Sequence, residues 1–118
     1  LEEAAAYYFR NTERYGKMTP WMTVACKVTE ACRKLAPGVV HHDQTARPQI
    51  ISEKTNACLY KILREYEKLT HIPLLVNTSF NKHEEPIISR PEDAFEAYLD
   101  KTIDALFIEG FLFYDDIC

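Results

Sequence analysis

The sequence predicts an α+β domain, a mixed twisted sheet with helices packed on it, and three observations carry that expectation. Apolar residues recur at helical spacing near residues 56–70 and again from Pro91. Short runs of β-branched, aromatic or continuously apolar residues fall at 21–28, 72–76, 105–108 and 111–114. Interleaved helices and strands with one hairpin signal imply a layered α and β architecture. The 118 residues suit a single domain, 1–118, with one modest core.

Taken in order, Leu1, Ala4, Ala5 and Tyr8 follow helical spacing, so the chain opens in an amphipathic helix, as though entered partway along something longer. Residues 11–20 are polar, end at Pro20 and read as a loop. The run 21–28 (WMTVACKV) reads as a strand, and 29–35 as a short helix closed by Ala36-Pro37-Gly38. Extended pieces are expected at Val39-Val40 and 49–52. The clearest helix is 56–70: Leu59, Ile62, Leu63, Tyr66 and Leu69 form its apolar stripe, with Thr55 or Asn56 as its cap. Residues 72–76 (IPLLV) form a nearly unbroken apolar run, expected as a strand buried on both faces inside the sheet. Pro91, followed by Glu92 and Asp93, suits a helix start, with Phe95, Tyr98 and Leu99 facing the core. Strands at 105–108 and 111–114 flank Glu109-Gly110, a tight hairpin signal.

Composition narrows the function. Apolar residues make up 47% and charged residues 27%, ordinary for a soluble globular protein. A formal charge of −4 with no basic stripe argues against nucleic acid as a partner. No apolar stretch approaches the roughly 18 residues of a membrane span, and the start lacks the basic flank of a signal peptide. Cys26, Cys32, Cys58 and Cys118 show no CxxC pairing, which fits free thiols in a reducing cytoplasm.

Two polar islands interrupt the apolar pattern. One is His41-His42-Asp43-Gln44-Thr45-Ala46-Arg47-Pro48-Gln49; the other is Asn77-Thr78-Ser79-Phe80-Asn81, directly after the apolar run, with Glu85-Pro86-Ile87-Ile88 behind it. The end of a buried strand is where an open α/β sheet binds ligands. Arg47 offers a planar charged fork suited to phosphate or carboxylate. Asn77, Ser79 and Asn81 add amide and hydroxyl donors, and turn N–H groups can form an anion nest. The alternatives are blander: Arg47 as a surface ion-pair partner, and Asn-Thr-Ser as turn chemistry. A metal site drawing on His41, His42 and Asp43 with His71 or His83 is a further alternative, though adjacent histidines on a strand point to opposite faces.

These residues resemble a known family. HHDQTARPQ is similar to the HxDGTARxQ segment of NodU/CmcH-type O-carbamoyltransferases, and VNTSFNKHEEPIISRPEDAFEAYL to that family's LNTSFNxxGEPIVxTPEDA segment. DALFIEGFLF resembles its closing DALxxGxFL stretch, and the similarity is collinear over nearly the whole chain. The resemblance implies the C-terminal part of a YrdC/Sua5-like domain, truncated at its N-terminal side, belonging to an enzyme whose N-terminal domain is of the actin-like ATPase/Kae1 type. It implies that the parent domain takes carbamoyl phosphate and ATP and makes carbamoyladenylate. The carbamoyl group then passes to an acceptor hydroxyl at a metal-assisted site in the other domain, with no metal in this segment. By match to the motifs, Arg47 and Ser79 are the expected catalytic residues, with Asn77 and Asn81 completing the substrate-binding set. Arg47 and Ser79 are expected to converge on one cleft.

The family's GPRALG-like and KxREPFRPF-like segments, which bring further basic residues, are absent from these 118 residues. The segment alone is therefore expected to be inactive, and to leave an apolar patch where its missing neighbours pack. Gln44 and Glu84 stand where the family carries glycine, and positive φ is expected to be costly there. The competing function is a non-catalytic regulatory or interaction module that kept the fold.

Overall fold

A computed structural model describes residues 1–115, so Cys118 lies outside the described residues. The chain forms two compact units, Leu1–Val76 and Asn77–Cys118. The class is α+β, with helices and small antiparallel sheets.

The first unit opens with a 3-10 turn, Glu2–Ala4, that runs into helix α1, Ala5–Tyr8. Leu1, Ala5 and Tyr8 are buried, as the spacing requires. Phe9 leaves the helix extended and bridges Val28, with Arg10 N–H donating to the Lys27 carbonyl at 2.8 Å and Thr29 N–H to the Tyr8 carbonyl at 2.9 Å. Strand β1, Cys26–Lys27, pairs antiparallel with β2, Thr45–Ala46, in the register Cys26↔Ala46 and Lys27↔Thr45. Around this ladder lies the main core of the unit: Tyr8, Phe9, Cys26, Val28, Cys32 and Ala46. Cys32 reaches it from helix α2, Glu30–Leu35, whose N-cap Thr29 accepts from Cys32 N–H at 3.3 Å. A 3-10 turn, Pro37–Val39, closes that stretch.

Helix α3, Ala57–Thr70, is capped by Asn56, whose Oδ1 accepts from Leu59 N–H at 3.0 Å. It ends at His71 in the left-handed conformation, φ 60°, whose N–H returns to the Glu67 carbonyl at 2.7 Å. Of the expected stripe only Leu63 is buried, in a small cluster with Leu1 and Ile51. Ile62 is 47% exposed and Leu69 83%. The stripe is there, but much of it faces solvent.

Three expectations are corrected. The strand at 21–28 contracts to Cys26–Lys27 and the Val28 bridge. Trp21 ends a 3-10 turn, Thr19–Trp21, and Met22 takes φ 54°, which turns the chain before it can extend. Residues 72–76 form no ladder among the described residues, and Val76 is 71% exposed, so this run is not a central buried strand. Pro73 cannot donate to a ladder, and it is buried while Leu74 packs at the edge of the main cluster. Finally, the sheet is two separate two-stranded antiparallel pairs rather than one mixed sheet.

The second unit holds helix α4, Pro91–Leu99, and the hairpin of β3, Ala105–Ile108, with β4, Phe111–Tyr114. Arg90 sits at the N-cap and its guanidinium pairs with Asp93 at 2.6 Å. The register Ile108↔Phe111 leaves a two-residue loop, Glu109 at φ 48° and Gly110 at φ 86°, both positive as a type I′ turn needs. Ala94, Ala97 and Leu106 are the buried residues here, and Phe95 meets Phe113 edge-on at 4.8 Å. Leu99, expected in the core, is 70% exposed: the small alanines let the helix approach closely, and Leu99 falls off the contact face.

Candidate functional site

The first polar island is a tight loop closing β1 and β2. His41 N–H donates to the Thr45 carbonyl at 2.8 Å, Gln44 N–H to the His41 carbonyl at 3.0 Å, and Val28 N–H to the Gln44 carbonyl at 3.1 Å. Inside it, Asp43 Oδ1 accepts from Thr45 N–H at 3.0 Å and from the Thr45 hydroxyl at 2.6 Å. His41 Nδ1 lies 3.0 Å from the same hydroxyl. Lys27 Nζ donates to the Asp43 carbonyl at 2.8 Å. The Thr45 hydrogen bonds hold the Asp43 carboxyl below its ordinary range, with Lys27 and His41 adding attraction.

Arg47 follows this loop, just past β2, and its side chain is exposed. Among the described residues no carboxylate pairs with it. Exposed Arg10 and Arg14 share that feature, whereas Arg33, Arg64 and Arg90 pair with Glu30, Glu67 and Asp93 at 2.7, 2.9 and 2.6 Å. In a chain of net charge −4, an arginine without an internal partner stays available to an outside anion.

The second island lies in the other unit. Asn77, Thr78 and Ser79 are exposed and irregular in conformation. The Asn81 amide donates to the Lys82 and Glu85 carbonyls at 2.9 and 3.2 Å, bracing the turn, and Ile88 N–H closes the loop onto the Phe80 carbonyl at 2.9 Å. Its nearby cations are engaged: Lys82 with Asp100 at 2.8 Å, and Arg90 with Asp93. Within this unit the described loop offers polar donors without a free guanidinium.

Both glycine-replacing residues occupy the left-handed region, Gln44 at φ 64° and Glu84 at φ 65°. These are the conformations in which a side chain is strained and glycine is not. The Glu84 carboxylate is itself highly exposed, 3.8 Å from His83 Nε2. No three His, Cys, Asp or Glu side chains come together as a ligand set among the described residues. A shallow depression bordered by Glu2, Glu3, Glu53 and Lys54 contains none of the expected site residues. Burial pushes the Cys26 and Cys32 thiols up, away from reactive thiolate. The Asp43–Thr45–His41 network was not anticipated as a unit; its signal is an aspartate two residues before a threonine, the spacing of a side-chain-braced turn.

Among known proteins, the family model for the carbamoyltransferase C-terminus matches residues 1–114. An uncharacterized protein, MJ1058, of Methanocaldococcus jannaschii is 40% identical over 112 residues, 95% of this chain and 18% of that protein. The nodulation protein NolO of Bradyrhizobium diazoefficiens is 35% identical over 112 residues, 95% of this chain and 20% of that protein. Nodulation protein U of Rhizobium tropici is 38% identical over 98 residues, 83% of this chain and 16% of that protein. The chain thus spans about a fifth of the length of the first two relatives, which it covers by 18% and 20%. With all but its last four residues inside the family model, the chain belongs to the carbamoyltransferase C-terminus family.

Proposed function

We propose that this segment supplies part of the carbamoyl phosphate site of an ATP-dependent O-carbamoyltransferase, in a domain that makes carbamoyladenylate for an acceptor hydroxyl. The observation that carries the reading is Arg47, exposed and without a carboxylate partner among the described residues, in the motif that resembles the family's HxDGTAR segment. Arg47 would take the phosphate oxygens through its bidentate fork; Asn77 and Ser79 are the further proposed substrate-binding donors, on a loop that Asn81 braces. One guanidinium does not balance a dianionic acyl phosphate, so the parent protein would bring further basic groups. Its acceptor chemistry would belong to an N-terminal Kae1-like domain of the same protein. The free thiols of Cys26, Cys32 and Cys58 fit a reducing cytoplasm, and no helix among the described residues is long and apolar enough to cross a membrane.

The test is made in the intact protein. Arg47→Ala should lose about 2–5 kcal/mol of transition-state stabilisation, at least roughly 30-fold in kcat/KM for carbamoyl phosphate. Arg47→Lys should recover little, because an ammonium lacks the planar fork. Wild-type carbamoylation by Arg47→Ala would sink the proposal and favour the non-catalytic module, for which the strained, carboxylate-bearing Glu84 loop is the supporting observation.

A further inference from the structure

We infer that the run 72–76 is an open strand edge whose partner is the stretch of the parent protein immediately preceding Leu1, paired antiparallel to it. The inference goes beyond the proposed chemistry and does not depend on which ligand the protein takes.

Two backbone bonds set the geometry. The Leu1 nitrogen donates to the Pro73 carbonyl at 3.1 Å in a buried position, and Glu2 N–H donates to the Ile51 carbonyl at 2.9 Å. Consecutive nitrogens thus serve two separate segments, as they do in a strand lying between two neighbours. The Leu1 side chain is buried and joins Ile51 and Leu63 in one cluster. Burial pulls the Leu1 amino group below its ordinary value. A peptide N–H makes the same bond to Pro73 with no charge to desolvate.

The bond to Pro73 also fixes the direction. A parallel partner would lead the preceding residues past 70–72, where α3 ends and His71 turns the chain at φ 60°. It would also carry Leu75 N–H to the Leu1 carbonyl, and no such bond forms; that carbonyl accepts from Ala4 N–H at 3.3 Å. An antiparallel partner runs past Leu74, Leu75 and Val76, which carry neither helix nor turn. It sets Leu1 opposite Pro73, and the one bond this pair lacks is the one for which proline has no N–H.

On this register the N–H and carbonyl of Leu75 point the same way as the Pro73 carbonyl, toward the partner. Neither has a backbone hydrogen bond among the described residues. Leu75 is 45% exposed and Val76 71%, so unpaired backbone and open apolar side chains coincide. An edge of that kind is a template for a further strand. The relatives supply one by length alone, since the chain spans 18% of MJ1058 and 20% of NolO. Any residue joined to the Leu1 nitrogen starts out already beside this edge.

The test is made in the intact protein. In the wild type, hydrogen exchange at Leu75 N–H should be slowed at least about 100-fold against an unstructured amide. The residue directly preceding Leu1 falls opposite Leu74 in a non-hydrogen-bonded pair, with about 4.5 Å between Cα atoms, within disulfide range. Replacing that residue by cysteine together with Leu74→Cys should give a cross-linked peptide pair on mild oxidation, read by mass spectrometry. The same replacement combined with Val76→Cys, further along the edge, should give less than about a tenth as much. Exchange at Leu75 N–H within about threefold of the unstructured rate would overturn the inference. Cross-linking to Val76→Cys equal to or above that to Leu74→Cys would overturn it as well.

Discussion

Replacing Gln44 by glycine should stabilise the loop that carries the arginine. Gln44 is held at φ 64° because its neighbours over-determine it: its N–H is bonded to the His41 carbonyl, and its own carbonyl takes Val28 N–H at 3.1 Å. A side chain in the left-handed region costs about 1–2 kcal/mol, and glycine gives back roughly 0.5–1 of that through its greater freedom when unfolded. The net gain for Gln44→Gly is about 0.5–1 kcal/mol. Hydrogen exchange at Val28 N–H reads this directly, since that bond breaks when the loop opens. Protection there should rise about two- to fivefold, and Glu84→Gly should act similarly on its own loop, read at Glu85 N–H, which bonds the Lys82 carbonyl. Asn11→Gly is the internal control, because asparagine tolerates φ 59° at little cost and should gain much less. Equal gains at Asn11 and Gln44, or lost protection at Val28 in Gln44→Gly, would refute the strain argument.

Two further outcomes follow from the same geometry. Gly110→Ala meets open space around its Cβ but keeps φ 86°, so it should destabilise the β3–β4 hairpin by about 1 kcal/mol, seen as faster exchange at Phe111 N–H. The Asp43 carboxyl is lowered by the Thr45 hydrogen bonds, so its contribution to loop stability is full above the unfolded carboxylate range. That contribution is lost as pH falls through the depressed folded value. Asp43→Asn should flatten this acid-side dependence, read from the His41 ring signals in a pH titration.

What the sequence made legible was local chemistry. The Asn56 cap, the proline and acidic start of α4 and the Glu109-Gly110 turn all fall where their residues specify, because each acts within a few positions of itself. That Gln44 and Glu84 stand where the family carries glycine was legible too; that both take positive φ, and so carry strain, is what the structure adds. Pairing over distance was not. The strand expected at 21–28 ignored Pro20 and the turn at Met22, and β propensity there lost to a backbone already committed to turning. The network at Thr45 depends on two side chains, His41 and Asp43, folded onto one hydroxyl, which no periodicity encodes.

The failure at 72–76 has a different origin from the failure at 21–28, and the difference bears on function. An unbroken apolar run states that burial is favourable; it does not state which atoms do the burying. Here Pro73 is buried and Leu74 packs within the unit, yet Leu75 and Val76 are 45% and 71% exposed, and on α3 Leu69 is 83% exposed. On α3 the polar Lys61, Glu65 and Lys68 are exposed as well, whereas 72–76 has no polar residue to turn to solvent. Apolar surface left open at about 25 cal/mol per Å² is a standing driving force for association. The polar islands behave in the opposite way. The 41–45 loop satisfies its own hydrogen bonds, and Asn81 braces its turn, so both keep their shape without a partner. The polar loops are thus closed by local hydrogen bonds, while these apolar side chains stay exposed.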